Sequence, residues 1–495
     1  MQKYNNLIGG KLVEPSTKKY FENINPADRL DVVGLFADSG KKDIDIAVKA
    51  ARQAFLAWSN MTPPKRGKLI FETGRLLLER KEQLAKVIVR EMGKTMPEAI
   101  GDIQSSADVA YFMAGEGRRM YGQTTFSELD KRWALTKRYP IGVCGLITAW
   151  NAPMAIITWK LFPALICGNT VVLKPSEETP LTAHLLGEIL KEVGFPDGVI
   201  NIVYGFGQET GRALVAHNDI DLISFTGSTQ VGREISTECG KRLRRYSLEM
   251  GGKNGLIVMD DADIETASQA VVTGAFSTAG QRCASTSRVF VHEEVYDKFL
   301  KMVLEKTRSL KIGPGTDPET RVCPIISERH LKSIMAYVDG AKKEGAKLLY
   351  GGHILTIGAY TKGNYIEPTI FTDVNPNSKL AREEIFGPVL AVFKIKSLQE
   401  GIDMVNDSEY GLVASIFTEN LNNAMYALDV IKTGVCYVNA PTFGSESHMP
   451  FGGLRGSGNG TREPGTQAMD VFSNWKTIYA DYSGISQNSQ FKEKK

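Results

Sequence analysis

Three short segments of the sequence place potentially reactive side chains next to predicted strands. Cys283 lies in the segment GQRCAS, Glu249 in LEMGGKN and Asn151 in WNAP. A thiolate can attack a carbonyl carbon, a carboxylate can accept a proton, and a side-chain amide can stabilise an oxyanion. Each residue also has an ordinary interpretation, because most free thiols are inert core groups, a lone Glu is usually at the surface, and Asn is common in turns. The other five of the six cysteines are interpreted as core thiols.

A second group of segments could bind a phosphate and a sugar. In FTGSTQVG a predicted strand ends at Thr226, Gly227 allows a tight turn, and a helix starts around Ser228. The N–H groups at such a helix N-terminus suit a phosphate, although a simple capped turn explains the segment equally well. In LKPSEETP, Glu177 could bind both hydroxyls of a ribose, and Lys174 could donate to a hydroxyl or a phosphate. A charged turn before a helix is the alternative here.

These segments must be positioned by strands and helices that alternate through the middle of the chain. The predicted strands are short, apolar and β-branched, as expected for strands buried on both faces of a parallel sheet. They cover residues 141–150, 170–174, 199–205, 221–227 and 245–252, and one intervening helix is predicted over 180–193. The turn GFGQETG after the third strand misses the GxGxxG dinucleotide pattern by one residue. The alternation predicts βαβ units.

The alternation resumes after residue 252 and predicts a second α/β domain. Strands are expected over 255–259 and 287–292. One helix is expected over 263–277, and a second follows the strand 287–292 and runs to about residue 310. The segment before residue 139 is predicted to be mostly amphipathic helix, over 43–58 and 65–93. Residues 122–139 and 474–484 alternate polar and apolar side chains like edge strands, so they could pair with each other or with another chain.

Composition and charge bear on the class of protein. A chain of 495 residues is too long for one hydrophobic core, so two or three domains are expected. With 59 basic and 56 acidic residues the net charge is +3, which gives no argument for a nucleic-acid or membrane partner. Six cysteines without CxxC spacing and an N-terminus without a signal pattern favour a reducing, cytoplasmic setting. The uncharged stretch 140–159 is interrupted by Gly and Pro, which favours a strand, a turn and a buried helix over a membrane span.

The chain resembles the aldehyde dehydrogenase superfamily essentially from end to end. It carries, in the family's order, WNAP, KPSEETP, GFGQETG, FTGSTQVG, LEMGGKN, GQRCAS, EEIFGPV and PFGG. The resemblance implies an α/β fold with a Rossmann-like cofactor domain, a second α/β catalytic domain and a small bridging and oligomerisation β-sheet. We expect the cofactor domain at residues 1–121 and 141–251, the catalytic domain at 252–452, and the bridging segments at 122–140 and 453–495.

The resemblance also implies a role for each motif residue. Cys283 resembles the nucleophile, Glu249 the general base, and Asn151 the side-chain half of an oxyanion hole whose other half is the Cys283 main-chain N–H. The residues that resemble the family's cofactor site are Trp150, Lys174, Ser176, Glu177, Gly207, Thr226, Gly227, Ser228, Glu384 and Phe386. The substrate pocket would use Trp159, Arg282, Phe451 and the rest of the loop from Ala440 to Phe451. No metal site is expected among the six histidines.

The implied reaction is oxidation of an aldehyde to a carboxylic acid through a thiohemiacetal and a thioester on Cys283, followed by hydrolysis. Relatives that acylate CoA or phosphate typically lack the Glu at position 249, so its presence favours release of the free acid. Glu177 favours NAD, because a carboxylate repels a 2′-phosphate. NADP stays possible, since Glu177 could rotate aside and Lys174 could then hold the phosphate.

The substrate is predicted to be a semialdehyde or another small aldehyde, such as 2,5-dioxopentanoate. Residues 456–484 resemble the C-terminal region of α-ketoglutaric semialdehyde (2,5-dioxovalerate) dehydrogenases. The alternatives are a broad-specificity aliphatic aldehyde, succinate semialdehyde or glyceraldehyde dehydrogenase, and a non-catalytic binding relative. A carboxylated aldehyde needs a cation, for which Arg282 and Arg455 are candidates, although either could form a structural ion pair. As in the family, a homodimer or homotetramer is expected.

Overall fold

Two seven-stranded sheets organise the computed structural model, which describes residues 1–484. The strands are β1 (Lys3–Tyr4), β2 (Asn6–Ile8), β3 (Lys11–Val13), β4 (Tyr20–Ile24), β5 (Val32–Ala37), β6 (Thr124–Phe126), β7 (Arg132–Pro140), β8 (Val143–Ile147), β9 (Thr170–Lys174), β10 (Ile200–Ile202), β11 (Leu222–Thr226), β12 (Arg245–Glu249), β13 (Asn254–Val258), β14 (Thr286–His292), β15 (Lys347–Tyr350), β16 (Thr369–Thr372), β17 (Val389–Ile395), β18 (Tyr410–Gly411), β19 (Val413–Phe417), β20 (Val435–Val438), β21 (Leu454–Arg455) and β22 (Ser473–Asp481).

Helices separate most of these strands. They are α1 (Lys41–Asn60), α2 (Pro63–Glu79), α3 (Lys81–Met92), α4 (Met96–Glu116), α5 (Pro153–Ile166), α6 (Pro180–Val193), α7 (Arg212–Ala216), α8 (Thr229–Lys241), α9 (Ile264–Phe276), α10 (Tyr296–Arg308), α11 (Glu328–Lys343), α12 (Lys379–Arg382), α13 (Leu398–Asn406), α14 (Leu421–Val430) and α15 (Ala468–Val471). Short turns of other helix types cover Gly207–Gly211, Ser277–Gly280 and Gly358–Lys362. Within the described residues, no helix is long and apolar enough to cross a membrane.

The first sheet has the order β12-β11-β8-β9-β10-β2-β3. Its first five strands are parallel, and β2 and β3 extend the far edge in antiparallel fashion. The register places Thr226 opposite Glu249 and Ile147 opposite Lys174. Because parallel strands end at one edge, the sheet brings the segments that follow β8, β9, β11 and β12 close together.

The second sheet has the order β15-β16-β17-β14-β13-β19-β20 and is parallel except for β15. Its central strands are buried along their whole length, as their apolar sequences predict. A separate hydrophobic core forms around each of the two sheets. The α/β fold expected from the sequence is confirmed, whereas the numerical domain boundaries stay a prediction.

The two segments that resembled edge strands pair with each other. Strand β22 runs antiparallel to β7 from Ser473 opposite Pro140 to Asp481 opposite Arg132, and β6 completes a three-stranded sheet. The bridging segment expected at 453–495 extends beyond the described part of the chain, so residues 485–495 of that prediction lie outside it.

The sequence interpretation was wrong in two places near the N-terminus. Residues 3–37 form five short strands that were not predicted, because pairing rather than a clear local alternation stabilises them. Strands β2 and β3 pair with each other, as do β4 and β5, and β2 also joins the distant β10. The helix expected over 65–93 is broken at Arg80, whose backbone leaves the helical region at φ −102° and ψ 13°. By contrast, β9 and α6 cover the predicted residues 170–174 and 180–193.

Candidate active site

A cavity of about 330 Å³ lies between the two sheets. Its lining comes from residues that follow β8, β11 and β12 in the first sheet and residues that precede β14 and β17 in the second. Asn151, Glu249 and Cys283, which are far apart in sequence, all line this one space. The fold therefore brings together the thiol, the carboxylate and the amide that the motifs singled out.

Cys283 is half-buried in an apolar cluster at the cavity. The side chain of Asn254 holds the backbone around it, since Nδ2 donates to the carbonyl oxygens of Cys283 at 2.7 Å and Ser285 at 2.8 Å. Burial raises the pKa of the Cys283 thiol to about 12, with further contributions from Glu384 and Glu249. The thiol is therefore protonated at neutral pH in this environment, and its attack on a carbonyl requires loss of that proton.

Glu249, at the end of β12, is buried, and neither carboxylate oxygen has a hydrogen-bond partner. Burial, followed by the negative charge of Glu463, raises the pKa of this carboxyl well above its ordinary value. Backbone packs closely around it, because a Cβ atom at Gly452 would lie 2.7 Å from Glu249 Oε1. Unpartnered buried carboxylates are rare in folded proteins and cluster at functional sites.

Two residues that the sequence interpretation missed also line the cavity. Lys160 and Glu463 form a buried ion pair, with Nζ 2.6 Å from Oε2. The hydroxyl of Ser224 donates to the other Glu463 oxygen at 2.8 Å. No signal in the sequence links these positions, because Glu463 follows β21 whereas Lys160 lies within α5.

Helix α5 carries the remaining side of the cavity. Its N-terminus follows Asn151, and Asp102 on α4 fixes it by accepting the Ala155 N–H at 2.7 Å. Trp159, on the same helix, donates from Nε1 to Ser105 Oγ at 3.3 Å and packs edge-on against Phe451 at 5.8 Å between ring centroids. The two aromatic rings make the inner part of the cavity apolar, as expected for an aldehyde pocket.

An outer cleft of about 920 Å³ continues from this cavity along the edge of the first sheet. The two spaces share Ala149, Trp150, Thr226, Gly227 and Ser228. The remaining predicted cofactor residues of this sheet, Lys174, Ser176, Glu177 and Gly207, line the outer cleft. The two spaces are therefore adjacent, and together they run from residues at the end of β9 to the thiol.

The outer cleft has the polar features expected for a dinucleotide. Ser228 is the N-cap of α8, and its hydroxyl accepts the Val231 N–H at 3.4 Å, so the helix N-terminus faces the cleft. Lys174 Nζ lies 2.9 Å from Glu177 Oε2. Burial alone would raise the pKa of the Glu177 carboxyl, but the ion pair with Lys174 holds it below its ordinary value. Glu177 is therefore charged at neutral pH.

Glu384 and Phe386 approach the junction of the two spaces from the second sheet. Glu384 Oε1 accepts the Gly252 N–H at 3.1 Å, and a Cβ atom at Gly251 would lie 1.8 Å from Oε2, so the glycines make room for this carboxylate. Burial raises the pKa of the Glu384 carboxyl to about 7. Phe386 packs edge-on against Trp150 at 5.3 Å.

His330 is a further residue of this junction that the sequence did not indicate. Its Nε2 lies 2.8 Å from the carbonyl oxygen of Phe386, and its ring packs against Trp150 at 5.8 Å. Phe386 has a φ of 56°, a conformation that is uncommon for a bulky residue and is fixed here by its neighbours. His330, Trp150 and Phe386 thus form one aromatic group beside the cavity.

A model of the aldehyde dehydrogenase family matches residues 12–478. The chain belongs to that family. The α-ketoglutaric semialdehyde dehydrogenase of Bacillus subtilis (strain 168) is 41% identical over 476 residues, which cover 96% of this chain and 98% of the relative. A betaine aldehyde dehydrogenase of Brucella melitensis is 38% identical over 484 residues, 98% of each chain. The crystal structure of a betaine aldehyde dehydrogenase from Staphylococcus aureus in complex with NAD+ has a TM-score of 0.96 at 33% identity, over 99% of this chain and 97% of that one.

In this aldehyde dehydrogenase, the two arginines considered for a substrate carboxylate are engaged elsewhere. Arg282 was predicted to lie in the substrate pocket, but its guanidinium bonds to Glu98 at 3.1 Å and to Thr278 at 2.8 Å, and it is not among the side chains that line the cavity. Arg455 donates to the carbonyl oxygens of Asn406 and Ser408, each at 2.7 Å. Arg282 is therefore held by a carboxylate and Arg455 by main-chain carbonyls, which is the structural alternative considered for both.

The same aldehyde dehydrogenase brings together one possible metal-ligand group among its described residues. The ligand atoms of Asp260, His292 and Glu294 lie within 4.8 Å of one another, at the carboxyl ends of β13 and β14. No motif in the sequence indicates this proximity. Cys283 precedes β14, so this group belongs to the opposite edge of the second sheet from the cavity.

Proposed function

We propose that this aldehyde dehydrogenase oxidises a small aldehyde to its carboxylic acid with NAD, through a thioester on Cys283 that is then hydrolysed with the help of Glu249. The observation that carries the proposal is the single cavity lined by Cys283, Asn151 and the unpartnered carboxylate of Glu249. Membership of the family and the likeness to a relative solved with NAD+ support it.

The residues of the cleft fit a nicotinamide adenine dinucleotide. Glu177 would hold the adenosine ribose, the N-terminus of α8 at Gly227 and Ser228 the pyrophosphate, and Glu384 the nicotinamide ribose. When bound, the oxidised nicotinamide supplies a positive charge that favours the thiolate and a hydride acceptor that turns the thiohemiacetal into a thioester. The carboxylate at Glu177 favours NAD over NADP, since a 2′-phosphate would be repelled there.

The chain's own residues perform the remaining steps. Once the Cys283 thiol has lost its proton to water, its sulfur bonds to the aldehyde carbon, the carbonyl π bond breaks, and the oxygen becomes an alkoxide that the Asn151 amide and the Cys283 main-chain N–H stabilise. One such donor is worth about 3 kcal/mol in other enzymes. In the second half-reaction Glu249 accepts a proton from a water molecule while the water oxygen bonds to the thioester carbon. The carbon–sulfur bond then breaks, which releases the acid and returns the thiolate.

The substrate we propose first is a semialdehyde such as 2,5-dioxopentanoate, which the Bacillus relative's name supports. A second candidate is an aldehyde that carries a quaternary ammonium group, as the name of the Brucella relative suggests. The observation that favours the second candidate is the Trp159–Phe451 pair, because aromatic faces attract such cations. Lys160 is the one cationic side chain that lines the inner cavity of the described protein, and it is paired with Glu463.

A panel of aldehydes tests both the reaction and the substrate. Reduced nicotinamide is followed by absorbance with 2,5-dioxopentanoate, betaine aldehyde, succinate semialdehyde, glyceraldehyde and simple aliphatic aldehydes, each with NAD and NADP. The highest kcat/KM is expected for 2,5-dioxopentanoate, and Cys283→Ala should abolish turnover while dinucleotide binding persists. Turnover by the alanine variant would remove Cys283 from its role, and dinucleotide binding with no turnover across the panel would favour a non-catalytic relative.

We also propose a cytoplasmic homodimer or homotetramer. The cysteines are all free, which fits a reducing compartment. The three-stranded sheet of β6, β7 and β22 exposes large aromatic side chains, including Phe126, Trp133 and Trp475. Exposed apolar surface of this kind favours association with another copy of the chain. Light scattering coupled to size-exclusion chromatography checks the oligomeric state, and a monomer would contradict this part of the proposal.

A further inference from the structure

The loop that precedes Cys283 has an unusual backbone. Thr278 and Ala279 have φ values of 51° and 53°, and Gly280 has a φ of 70°. Three consecutive residues therefore occupy the left-handed region, a conformation that is strongly unfavourable for a β-branched residue such as Thr278. Gly280 is required here for space as well, since a Cβ atom would lie 2.2 Å from the Gly387 carbonyl oxygen. Such a conformation persists only where its surroundings hold it.

One carboxylate oxygen supplies most of that support. Glu98 Oε1 accepts hydrogen bonds from the Thr278 N–H at 2.7 Å, from Thr278 Oγ1 at 2.9 Å and from Arg282 Nη2 at 3.1 Å. Arg282 Nε donates in turn to Thr278 Oγ1 at 2.8 Å, which closes a ring of bonds around the loop. These contacts join α4, which packs against α2, α3 and α5, to a loop of the second sheet.

The other oxygen of Glu98 has a different use. Oε2 accepts from the Thr95 N–H at 3.1 Å and from Thr95 Oγ1 at 2.9 Å, as part of the capping box at the start of α4. A helix cap alone would explain Oε2 but not the three donors gathered on Oε1. Burial alone would raise the pKa of the Glu98 carboxyl, yet Arg282, Lys94 and Thr95 hold it below its ordinary value, so the group is charged at neutral pH.

The residues between Thr278 and Cys283 transmit this support to the thiol. Gln281 is fully buried, donates to the carbonyl oxygens of Thr278 and Pro324, and accepts the Ile326 N–H at 2.9 Å. Arg282, which Glu98 holds, is the immediate neighbour of Cys283 in the chain. Asn254 fixes the Cys283 carbonyl from the other side, so the backbone that carries the thiol is held at both ends.

We propose that Glu98 is a positioning residue for the nucleophile, whose carboxylate holds the 277–282 loop so that Cys283 faces the cavity. The inference rests on the proposed role of Cys283, and it extends that role to a residue on another element that touches neither substrate nor cofactor. It also explains why Arg282 is unavailable to a substrate carboxylate.

The test is the reactivity of Cys283 itself, which needs neither an aldehyde nor a dinucleotide. The rate at which iodoacetamide alkylates Cys283 is followed by peptide mass spectrometry in Glu98→Gln and in the wild-type protein. We expect the rate and kcat to fall by up to about 100-fold, because small displacements of a reacting atom have effects of that size. The Kd for NAD should stay within about twofold, which corresponds to a negligible change in binding free energy.

Glu116→Gln is the matched control. Glu116 is a buried carboxylate on the same helix and pairs with Arg119 at 2.6 Å, but it makes no contact with the loop. This variant should alkylate and turn over as the wild type does. Wild-type alkylation of Cys283 in Glu98→Gln would overturn the proposal, and so would an equal loss in both variants.

A second pair of variants decides the matter if Glu98→Gln does not fold. Thr278→Ser keeps both donors to Glu98 and should keep the wild-type alkylation rate. Thr278→Ala loses the hydroxyl and should slow alkylation about tenfold, as expected for loss of a hydrogen bond to a charged group. Equal rates in the two Thr278 variants would overturn the proposal. If no aldehyde is oxidised at all, the proposed function fails, but the alkylation rates still report on the positioning of Cys283.

Discussion

Lys160 and Glu463 form an ion pair beside the candidate base, with Nζ 2.6 Å from Oε2 and side chains only 1% and 2% exposed. Both residues line the cavity together with Glu249. The hydroxyls of Ser224 and Ser247 donate to the second oxygen of Glu463, at 2.8 and 3.0 Å. Burial raises the pKa of the Glu249 carboxyl, the negative charge of Glu463 adds to that effect, and the positive charge of Lys160 opposes it.

Replacing Lys160 by Met should destabilise the protein strongly. The substitution leaves Glu463 buried without its cation, and breaking a buried pair in this way costs about 3–5 kcal/mol. A lower midpoint of urea unfolding measures the effect. Lys332→Met is the control, because Lys332 pairs with Glu328 at 2.7 Å on the exposed face of α11 and should change the midpoint little. Equal midpoints for the two variants would show that the buried pair contributes nothing particular.

Glu249→Gln should separate the two half-reactions. Formation of the thioester does not need a base for water, whereas its hydrolysis does, and general bases contribute about 100-fold or more. We expect a burst of reduced nicotinamide followed by a slow steady state, with an acyl adduct on Cys283 visible in the intact mass. Equal slowing of burst and steady state would mean that Glu249 also acts before the thioester forms.

The stability of Glu249→Gln relative to the wild type should increase with pH. The pKa of Glu249 is raised in the folded protein above its ordinary value of 4.5, so the folded state binds more protons than the unfolded state as pH rises above that value. Wild-type stability therefore falls as pH rises through the window between the two pKa values, and the glutamine variant lacks this loss. Thermal melts of both proteins in acidic and alkaline buffers measure the difference in Tm, and a difference that shrinks with rising pH contradicts the assignment.

Glu177→Gln should weaken the discrimination between NAD and NADP. The variant removes a half-buried charge that would repel a 2′-phosphate and frees Lys174, now 2.9 Å from the carboxylate, to bind that phosphate. We expect the ratio of kcat/KM for NADP to that for NAD to rise about tenfold or more, as one charge interaction near a surface allows. Glu178→Gln is the control, since Glu178 lies outside the outer cleft. An unchanged ratio would place the discrimination elsewhere.

The sequence indicated the α/β fold class and the positions of the candidate reactive residues. Strands such as β9 and helices such as α6 are strongly patterned, and their bounds follow from local apolar periodicity and flanking turn residues. Cys283, Glu249 and Asn151 each lie beside a predicted strand end, where an ordinary role is common, and the resemblance of eight ordered motifs to one family is what singled them out. The N-terminal strands were missed because they are short and depend on pairing, such as that of β1 with β5 and of β2 with the distant β10.

Which charges meet depends on how elements that are distant in the sequence pack together. Arg282 was a candidate for the substrate pocket until the fold placed Glu98, 184 positions earlier in the chain, against its guanidinium. Likewise Lys160 and Glu463 lie 303 positions apart and carry no mark of their pairing. The local periodicity of apolar residues indicates which face of a helix or strand is buried. An ion pair depends instead on how two elements are placed relative to each other. The packing of the two sheets, rather than any motif, therefore determines the charges around the cavity.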